Sequence, residues 1–163
     1  MNINDIRVDK EKTNFKFRVA GIVESHGKIL VTKMREDEFF YFPGGHVELL
    51  EDTKSAAERE LKEELYFDFK VGELLYIHEN FFRSRGKESH ELCFYFKVEV
   101  LDKNLQEADL VWQEIDNGEK LFHDYRWLEL RDIERFDIRP KEVVKNYVKD
   151  KNKFMHFSTR EID

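Results

Sequence analysis

The chain has little cysteine, little proline and no long apolar run. A single cysteine, Cys93, occurs among 163 residues, so no disulfide can form within the chain. The first residues, MNINDIRVDKEK, lack the apolar stretch of a signal peptide, and no apolar run approaches transmembrane length. We therefore expect a protein of the reducing cytoplasm that has no contact with a membrane.

An excess of positive charge is also missing. The 28 lysines and arginines are outnumbered by 35 acidic residues, which gives a formal net charge of −7. Non-specific binding to nucleic acid or to an anionic membrane needs a basic surface, so both partners are disfavoured. A phosphate-bearing substrate stays open, because a bound metal and a few local cations can reverse the sign of one cleft.

The chain is long enough for one domain with a substantial core. Hydrophobic residues make up 40% of it and aromatic residues 14%, with fifteen phenylalanines, so we expect a core rich in rings. Polar character at both ends predicts a loose N-terminal segment over 1–13, a folded domain over 14–150 and a C-terminal tail over 151–163.

Hydrophobic periodicity indicates a mixed α/β chain. It predicts strands over 15–23, 28–34, 39–42, 67–82, 92–100, 110–112 and 125–128, and helices over 53–65 and 141–149. Polar residues 83–89 predict a hairpin loop. Both prolines fall at boundaries, since Pro43 ends a strand and Pro140 occupies the first turn of the last helix.

The most informative stretch is residues 44–65, GGHVELLEDTKSAAERELKEEL. Helical spacing places Glu60, Glu63 and Glu64 on one face, where like charges repel by a few tenths of a kcal/mol per pair. Three oxygen donors on a rigid element suit a hard divalent cation, Mg²⁺ above all. The stretch therefore predicts a metal site.

A solvated acidic surface is the competing interpretation of these glutamates. Lys62 could pair with Glu58, and Arg59 with Glu63, which would reduce the repulsion. An apolar stripe formed by residues 57, 61 and 65 adjoins the glutamates, however, whereas a merely solvated face would lie opposite the core. This arrangement favours the metal site.

The same stretch carries a family pattern. From Gly45 it runs glycine, five residues, Glu51, seven residues, Arg59-Glu60-Leu61, one residue, Glu63-Glu64. This spacing resembles the signature of the Nudix hydrolases. One position departs from it: Tyr66 stands where the signature has a glycine that ends the helix in the left-handed conformation, at a cost of roughly 1 kcal/mol for other residues.

The resemblance implies a fold, a reaction and a set of roles. The fold would be the Nudix α/β/α sandwich with a mixed central sheet, and the reaction Mg²⁺-dependent pyrophosphohydrolysis, with Mn²⁺ as an alternative cation. The implied metal ligands are Glu60, Glu63, Glu64 and the backbone carbonyl of Gly44. Glu60, Glu63 and Arg59 form the implied catalytic group. Gly45 and Glu51 would be structural.

The general base varies among relatives, so no glutamate is assigned to that role. Glu91 and Glu119 are candidates outside the signature. The expected substrate is a nucleoside diphosphate linked to another moiety, meaning a nucleoside triphosphate or an ADP-sugar, and a homodimer is left open. Phosphates could be met by Arg18, Lys33 or Arg35.

A nucleobase could stack on Phe40, Phe82 or Tyr95, although core packing is the ordinary fate of such rings. The histidines at 78, 90 and 123 are scattered and are expected to be exposed or satisfied rather than catalytic.

Other functions remain as alternatives. The departure at Tyr66 motivates a non-catalytic nucleotide-sensing module on the same scaffold. An RNA 5′-end pyrophosphohydrolase is disfavoured by the acidic balance. An isoprenoid isomerase would need a catalytic cysteine, and Cys93 lies in a predicted strand, where a buried inert thiol is the better interpretation.

Overall fold

Long strands dominate the computed structural model, which describes residues 2–116 and 118–162, with the backbone alone over 112–116. The strands are β1 Arg7–Asp9, β2 Thr13–Ser25, β3 Lys28–Met34, β4 Gly44–His46, β5 Phe69–Ser84, β6 Lys87–Val100, β7 Leu110–Asp116, β8 Glu119–Glu129 and β9 Met155–Arg160. The helices are α1 Thr53–Glu64, a 3₁₀ helix Leu130–Arg135 and α2 Lys141–Lys149.

These strands form an open mixed sheet in the order β7-β8-β3-β2-β6-β5-β9. The pairs β2–β6 and β5–β9 are parallel, and the other pairs are antiparallel. The short strands β1 and β4 also pair with β2, so β2 is the central organising strand. The predicted mixed sheet is confirmed.

Each face of the sheet carries its own hydrophobic core. Successive side chains of β2 point alternately into one core and the other. Val19 and Val23 pack with Leu61 of α1, whereas Ala20 and Ile22 pack with Val143 of α2. We call these the α1 face and the α2 face. One helix lies on each face, as the predicted α/β/α sandwich requires.

Helix α1 begins and ends as its sequence dictates. Asp52 caps it by accepting hydrogen bonds from the Ser55 amide and hydroxyl, each 2.9 Å long. The helix ends with Leu65 in an extended conformation, and the Leu65 amide donates to the Leu61 carbonyl at 2.8 Å. Tyr66 has no positive φ, so this exit does not use the left-handed conformation for which the signature glycine is suited.

Both terminal segments contain strands where the sequence predicted a loose segment and a tail. Over 1–13, β1 pairs with β2 and places Val8 opposite Phe15. Over 151–163, β9 runs parallel to β5 and places Phe157 opposite His78. Pairing with a long central strand satisfies the backbone of these polar segments, which their own periodicity does not reveal. The domain boundaries themselves stay a prediction.

The predicted loop over 83–89 is instead a tight turn. Arg85 and Gly86 both have positive φ, 50° and 77°, which is the geometry of a two-residue hairpin turn that matches strand twist. The β5–β6 ladder therefore continues to Ser84 and Lys87. None of the described helices is long and apolar enough to cross a membrane.

Candidate active site

Strand β4 meets helix α1 through two glycines that tolerate no side chain. A Cβ on Gly45 would lie 2.2 Å from the carboxyl carbon of Glu60, and a Cβ on Gly44 would lie 2.0 Å from the Val19 carbonyl oxygen. The glycine pair therefore lets β4 fit between β2 and the Glu60 carboxylate.

A second helix carboxylate reaches the same strand one turn later. The Gly44 amide donates to Glu64 Oε2 at 3.0 Å. Glu60 and Glu64 are separated by one helical turn, so both carboxylates project toward the glycine pair. Two acidic side chains and the backbone of β4 thus converge on one point of the fold.

Arg59 holds Glu60 in place through a network of hydrogen bonds. Its guanidinium donates twice to Glu51, at 2.8 and 2.9 Å, and once to Glu60 Oε1 at 2.8 Å. The same guanidinium donates to the His46 carbonyl at 3.0 Å and lies 3.6 Å from Glu48 Oε1. Glu51 also accepts from the Glu48 amide at 3.0 Å, so the loop before α1 is tied to the helix.

The electrostatics differ between the two carboxylates bound to Arg59. Hydrogen bonds from Arg59 hold the pKa of Glu51 below its usual value. Burial raises the pKa of Glu60 above its usual value, although Arg59 and Arg18 oppose the shift and Glu63 adds to it. Glu60 is therefore the carboxylate that gains most from a nearby cation.

The donor set fits a hard divalent cation in kind, because it consists of carboxylate and backbone oxygens. Within the described parts of the chain, however, no three acidic, histidine or cysteine side chains are grouped closely enough to hold a metal as they stand. Glu60 Oε1 is engaged by Arg59 and Glu64 Oε2 by Gly44, while Glu63 is exposed to solvent. These side chains would have to exchange a hydrogen bond for the metal.

The predicted substrate residues are placed in different surroundings. Arg18 lies on β2 opposite His46, and its guanidinium is 3.8 Å from Glu91 Oε2. Phe40 lies below the ammonium of Lys33 at 5.4 Å and the guanidinium of Arg126 at 5.7 Å. Of these, Arg18 is the residue whose charge opposes the rise in the pKa of Glu60, a carboxylate of the family pattern.

Phe82 lies on β5 opposite Ser89 and is half-buried. Arg35 stacks on Phe122 at 4.5 Å, and Tyr95 is a buried core residue. The buried position of Tyr95 therefore favours core packing over stacking on a nucleobase.

The two outside candidates for the base have opposite environments. Glu91 is 8% exposed and lies beside Arg18, whereas Glu119 is exposed at the start of β8. Cys93 is buried, and burial raises the pKa of its thiol, so the inert interpretation fits its surroundings.

Two of the histidines are held by ring and hydroxyl contacts. His78 is buried against Phe157 and shares a hydrogen bond with Thr159, 2.8 Å long. His90 stacks on Phe81 at a centroid distance of 4.4 Å.

Sequence reasoning missed the second layer of the site. Glu48 and His46 touch Arg59 through a carboxylate and a carbonyl, and neither belongs to the family pattern. Burial and the charge of Arg18 lower the pKa of His46 to about 3, so this ring is neutral. Their nearness to Gly45 in the chain was the only available signal.

Comparison with known proteins gives matches in sequence and in fold. The family model described as NUDIX domain matches residues 14–147. The ADP-ribose pyrophosphatase of Methanocaldococcus jannaschii is 30% identical over 137 residues, which cover 82% of this chain and 73% of that protein.

Solved structures share the fold at lower identity. The mutator MutT protein of Bacillus halodurans has a TM-score of 0.62 at 18% identity, covering 90% of this chain and 91% of that one. An ADP-ribose pyrophosphatase of Streptococcus suis has a TM-score of 0.55 at 14% identity, covering 88% and 98%. The chain therefore belongs to the Nudix family and is a Nudix-type hydrolase, an enzyme that acts on phosphorus-containing anhydrides.

Proposed function

We propose that the protein is a Mg²⁺-dependent pyrophosphohydrolase of small nucleotides in which a nucleoside diphosphate is linked to another moiety. The observation that carries this proposal is the convergence of Glu60 and Glu64 on the Gly44–Gly45 backbone. Carboxylate and backbone oxygens at one point are what a pyrophosphate-bound hard cation requires.

Each residue of the site has a defined task in this proposal. Glu60, Glu64 and the Gly44 carbonyl hold the cation, which when bound neutralises the diphosphate and acidifies a water. Arg59 positions Glu60 through their 2.8 Å hydrogen bond and is itself oriented by Glu51. Glu63, exposed and without a hydrogen bond to any described residue, is available to hold a water or take its proton.

The proposed substrate class has two members, and a different observation supports each of them. The 30% identical relative is named an ADP-ribose pyrophosphatase, which favours an ADP-sugar. The local excess of cations along β2, described below, favours a substrate with more negative charge, such as a nucleoside triphosphate.

The test is a substrate panel. The protein, supplied with Mg²⁺, is incubated with nucleoside triphosphates, ADP-ribose and other ADP-sugars, and the release of phosphate, pyrophosphate and nucleoside monophosphate is measured. We expect turnover of at least one member and its loss on chelation with EDTA. A folded, metal-supplied protein that turns over no member would overturn the proposal.

A matched pair of helix variants assigns the activity to the site. Glu64→Gln removes a proposed ligand and should reduce kcat by more than about 100-fold, because even residues that only support metal ligands contribute roughly 10–100-fold. Glu58→Gln, on the exposed side of the same helix, should keep the wild-type rate. Tight nucleotide binding without turnover in the wild type would favour the sensing module instead.

A further inference from the structure

Four cationic side chains lie around the first half of β2, outside the family pattern that starts at Gly45. Arg7 of β1 lies directly opposite Lys16 of β2, and Arg18 follows on the same strand face. This face is the α2 face, because the register of β2 with β6 is unbroken from residue 13 to residue 23. Arg85, at the tip of the β5–β6 hairpin, completes what we call the cationic cluster.

The pKa of Lys16 also indicates that these side chains lie close together. Burial lowers the pKa of Lys16, and the positive charges of Arg18, Arg7 and Arg85 lower it further, with Glu91 opposing them. Lys16 is half-buried and forms no hydrogen bond or ion pair with the described residues. A lysine surrounded by cations and without a partner is the arrangement expected where an anion binds.

The acids near the cluster neutralise it incompletely. Arg18 and Glu91 are 3.8 Å apart, and Arg85 and Asp37 are also 3.8 Å apart, so neither pair forms a hydrogen bond. The chain as a whole has a net charge of −7, so this excess of positive charge is a local departure.

Only Arg7 is closely paired, at 3.3 Å from Asp9. Asp9 also binds Lys87, so it is shared between two cations.

The cluster begins at the active site and extends away from it. Arg18 lies opposite His46, next to the glycine at which a Cβ would meet the Glu60 carboxylate. Lys16 lies about 7 Å further along the strand, since same-face residues are separated by two strand positions. Along β2, Arg18 therefore lies at the end of the part of the strand that pairs with β4, on the side nearer to Lys16.

We propose that Arg7, Lys16 and Arg18 bind a phosphate group of the substrate that lies beyond the anhydride cleaved at α1. This inference rests on the proposed function and narrows it. The preferred substrate carries an anionic far end, as a nucleoside triphosphate does. ADP-ribose has a neutral ribose at that end and would leave Lys16 without a partner.

Kinetics of two variants against two substrates test the subsite. Lys16→Gln should raise the KM for ATP about tenfold with kcat nearly unchanged, because a ground-state ion pair is lost. Its kcat/KM for ADP-ribose should stay at the wild-type value. Lys103→Gln, an exposed lysine in the loop after β6, is the matched control and should change neither. Equal losses on ATP and ADP-ribose would overturn the proposal, because the cluster would then serve the cleaved diphosphate.

A binding measurement separates this inference from the proposed function. Inorganic tripolyphosphate is titrated by calorimetry into metal-free wild type, Lys16→Gln and Lys103→Gln. We expect binding to wild type and the control, and at least about tenfold weaker binding to Lys16→Gln. Equal affinity for all three proteins would refute the subsite. A wild type that hydrolyses no nucleotide would refute the proposed function, while tripolyphosphate binding still decides the subsite.

Folding of the variant is checked by thermal unfolding. If Lys16→Gln unfolds, Arg7→Gln carries the same test from the neighbouring strand, with the same expected loss of tripolyphosphate affinity. Unchanged affinity in a folded Arg7→Gln would overturn the proposal as well.

Discussion

Two arginines near β4 have similar exposure and different hydrogen bonding. The side chains of Arg59 and Arg18 are 28% and 24% exposed. Arg59 makes three hydrogen bonds to carboxylates, each under 3 Å, and one to a carbonyl. For Arg18, the nearest paired carboxylate oxygen is 3.8 Å away on Glu91.

The difference indicates what each arginine can do. A planar guanidinium held bidentately has lost its freedom already, so it can orient a neighbouring carboxylate at little further entropic cost. A guanidinium without close hydrogen bonds keeps its donors available for an incoming anion. We therefore interpret Arg59 as a positioning residue and Arg18 as a binding residue.

Among variants that test this comparison of the two arginines, Arg59→Lys should have the largest effect. An ammonium cannot reproduce the bidentate contact with Glu51 while also holding Glu60, so Glu60 loses its fixed position. We expect kcat to fall about 10–100-fold on every substrate that the wild type cleaves. Arg139→Lys is the matched control, because Arg139 forms a bidentate but exposed pair with Asp137. Near-wild-type turnover by Arg59→Lys would remove the positioning role.

A smaller effect, on stability, is expected from Glu51→Gln. Loss of the charge-assisted bonds should lower the free energy of unfolding by about 1–3 kcal/mol at neutral pH, as measured by urea denaturation. The folded-state pKa of Glu51 lies below its usual value of 4.5, so the folded protein binds fewer protons than the unfolded chain. Its contribution is therefore present above that value and is lost as the pH falls through the folded pKa.

The difference between wild type and Glu51→Gln should accordingly be constant near neutral pH and shrink below about pH 4.5. A difference that is the same at all pH values would show that Glu51 stabilises the fold by packing and not by its charge.

The smallest effect is expected from Glu91→Gln, the partner of Arg18. At 3.8 Å no hydrogen bond is lost, so the free energy of unfolding should change less than it does for Glu51→Gln. Removal of the opposing charge should tighten tripolyphosphate binding in calorimetry, because the cationic cluster loses its nearest acid. A destabilisation as large as that of Glu51→Gln would break the contrast between the two arginines.

Local patterns in the sequence predicted much of the fold. The structure places α2 at Lys141–Lys149, the predicted bounds, and α1 within one residue of its predicted end, because caps and apolar periodicity act over a few residues. The strands β1 and β9 were not predicted, because short polar segments acquire strand structure from a distant partner.

The family pattern predicted the residues of the candidate site, but it did not predict the residues that surround them. Glu51, Arg59 and Glu60 are close in the chain, and in the structure Arg59 binds both carboxylates. The neighbours of Lys16 come from β1, from β2 and from a hairpin tip some seventy residues away, which no local pattern connects.

By itself the sequence determined the group of carboxylates on one helix face, because their spacing is a local property that the helical period converts directly into geometry. Tertiary structure alone decided which cations gather beside that group. Strand pairing sets that choice, and pairing joins residues far apart in the chain, so charges that look scattered in the sequence become one cluster beside the site.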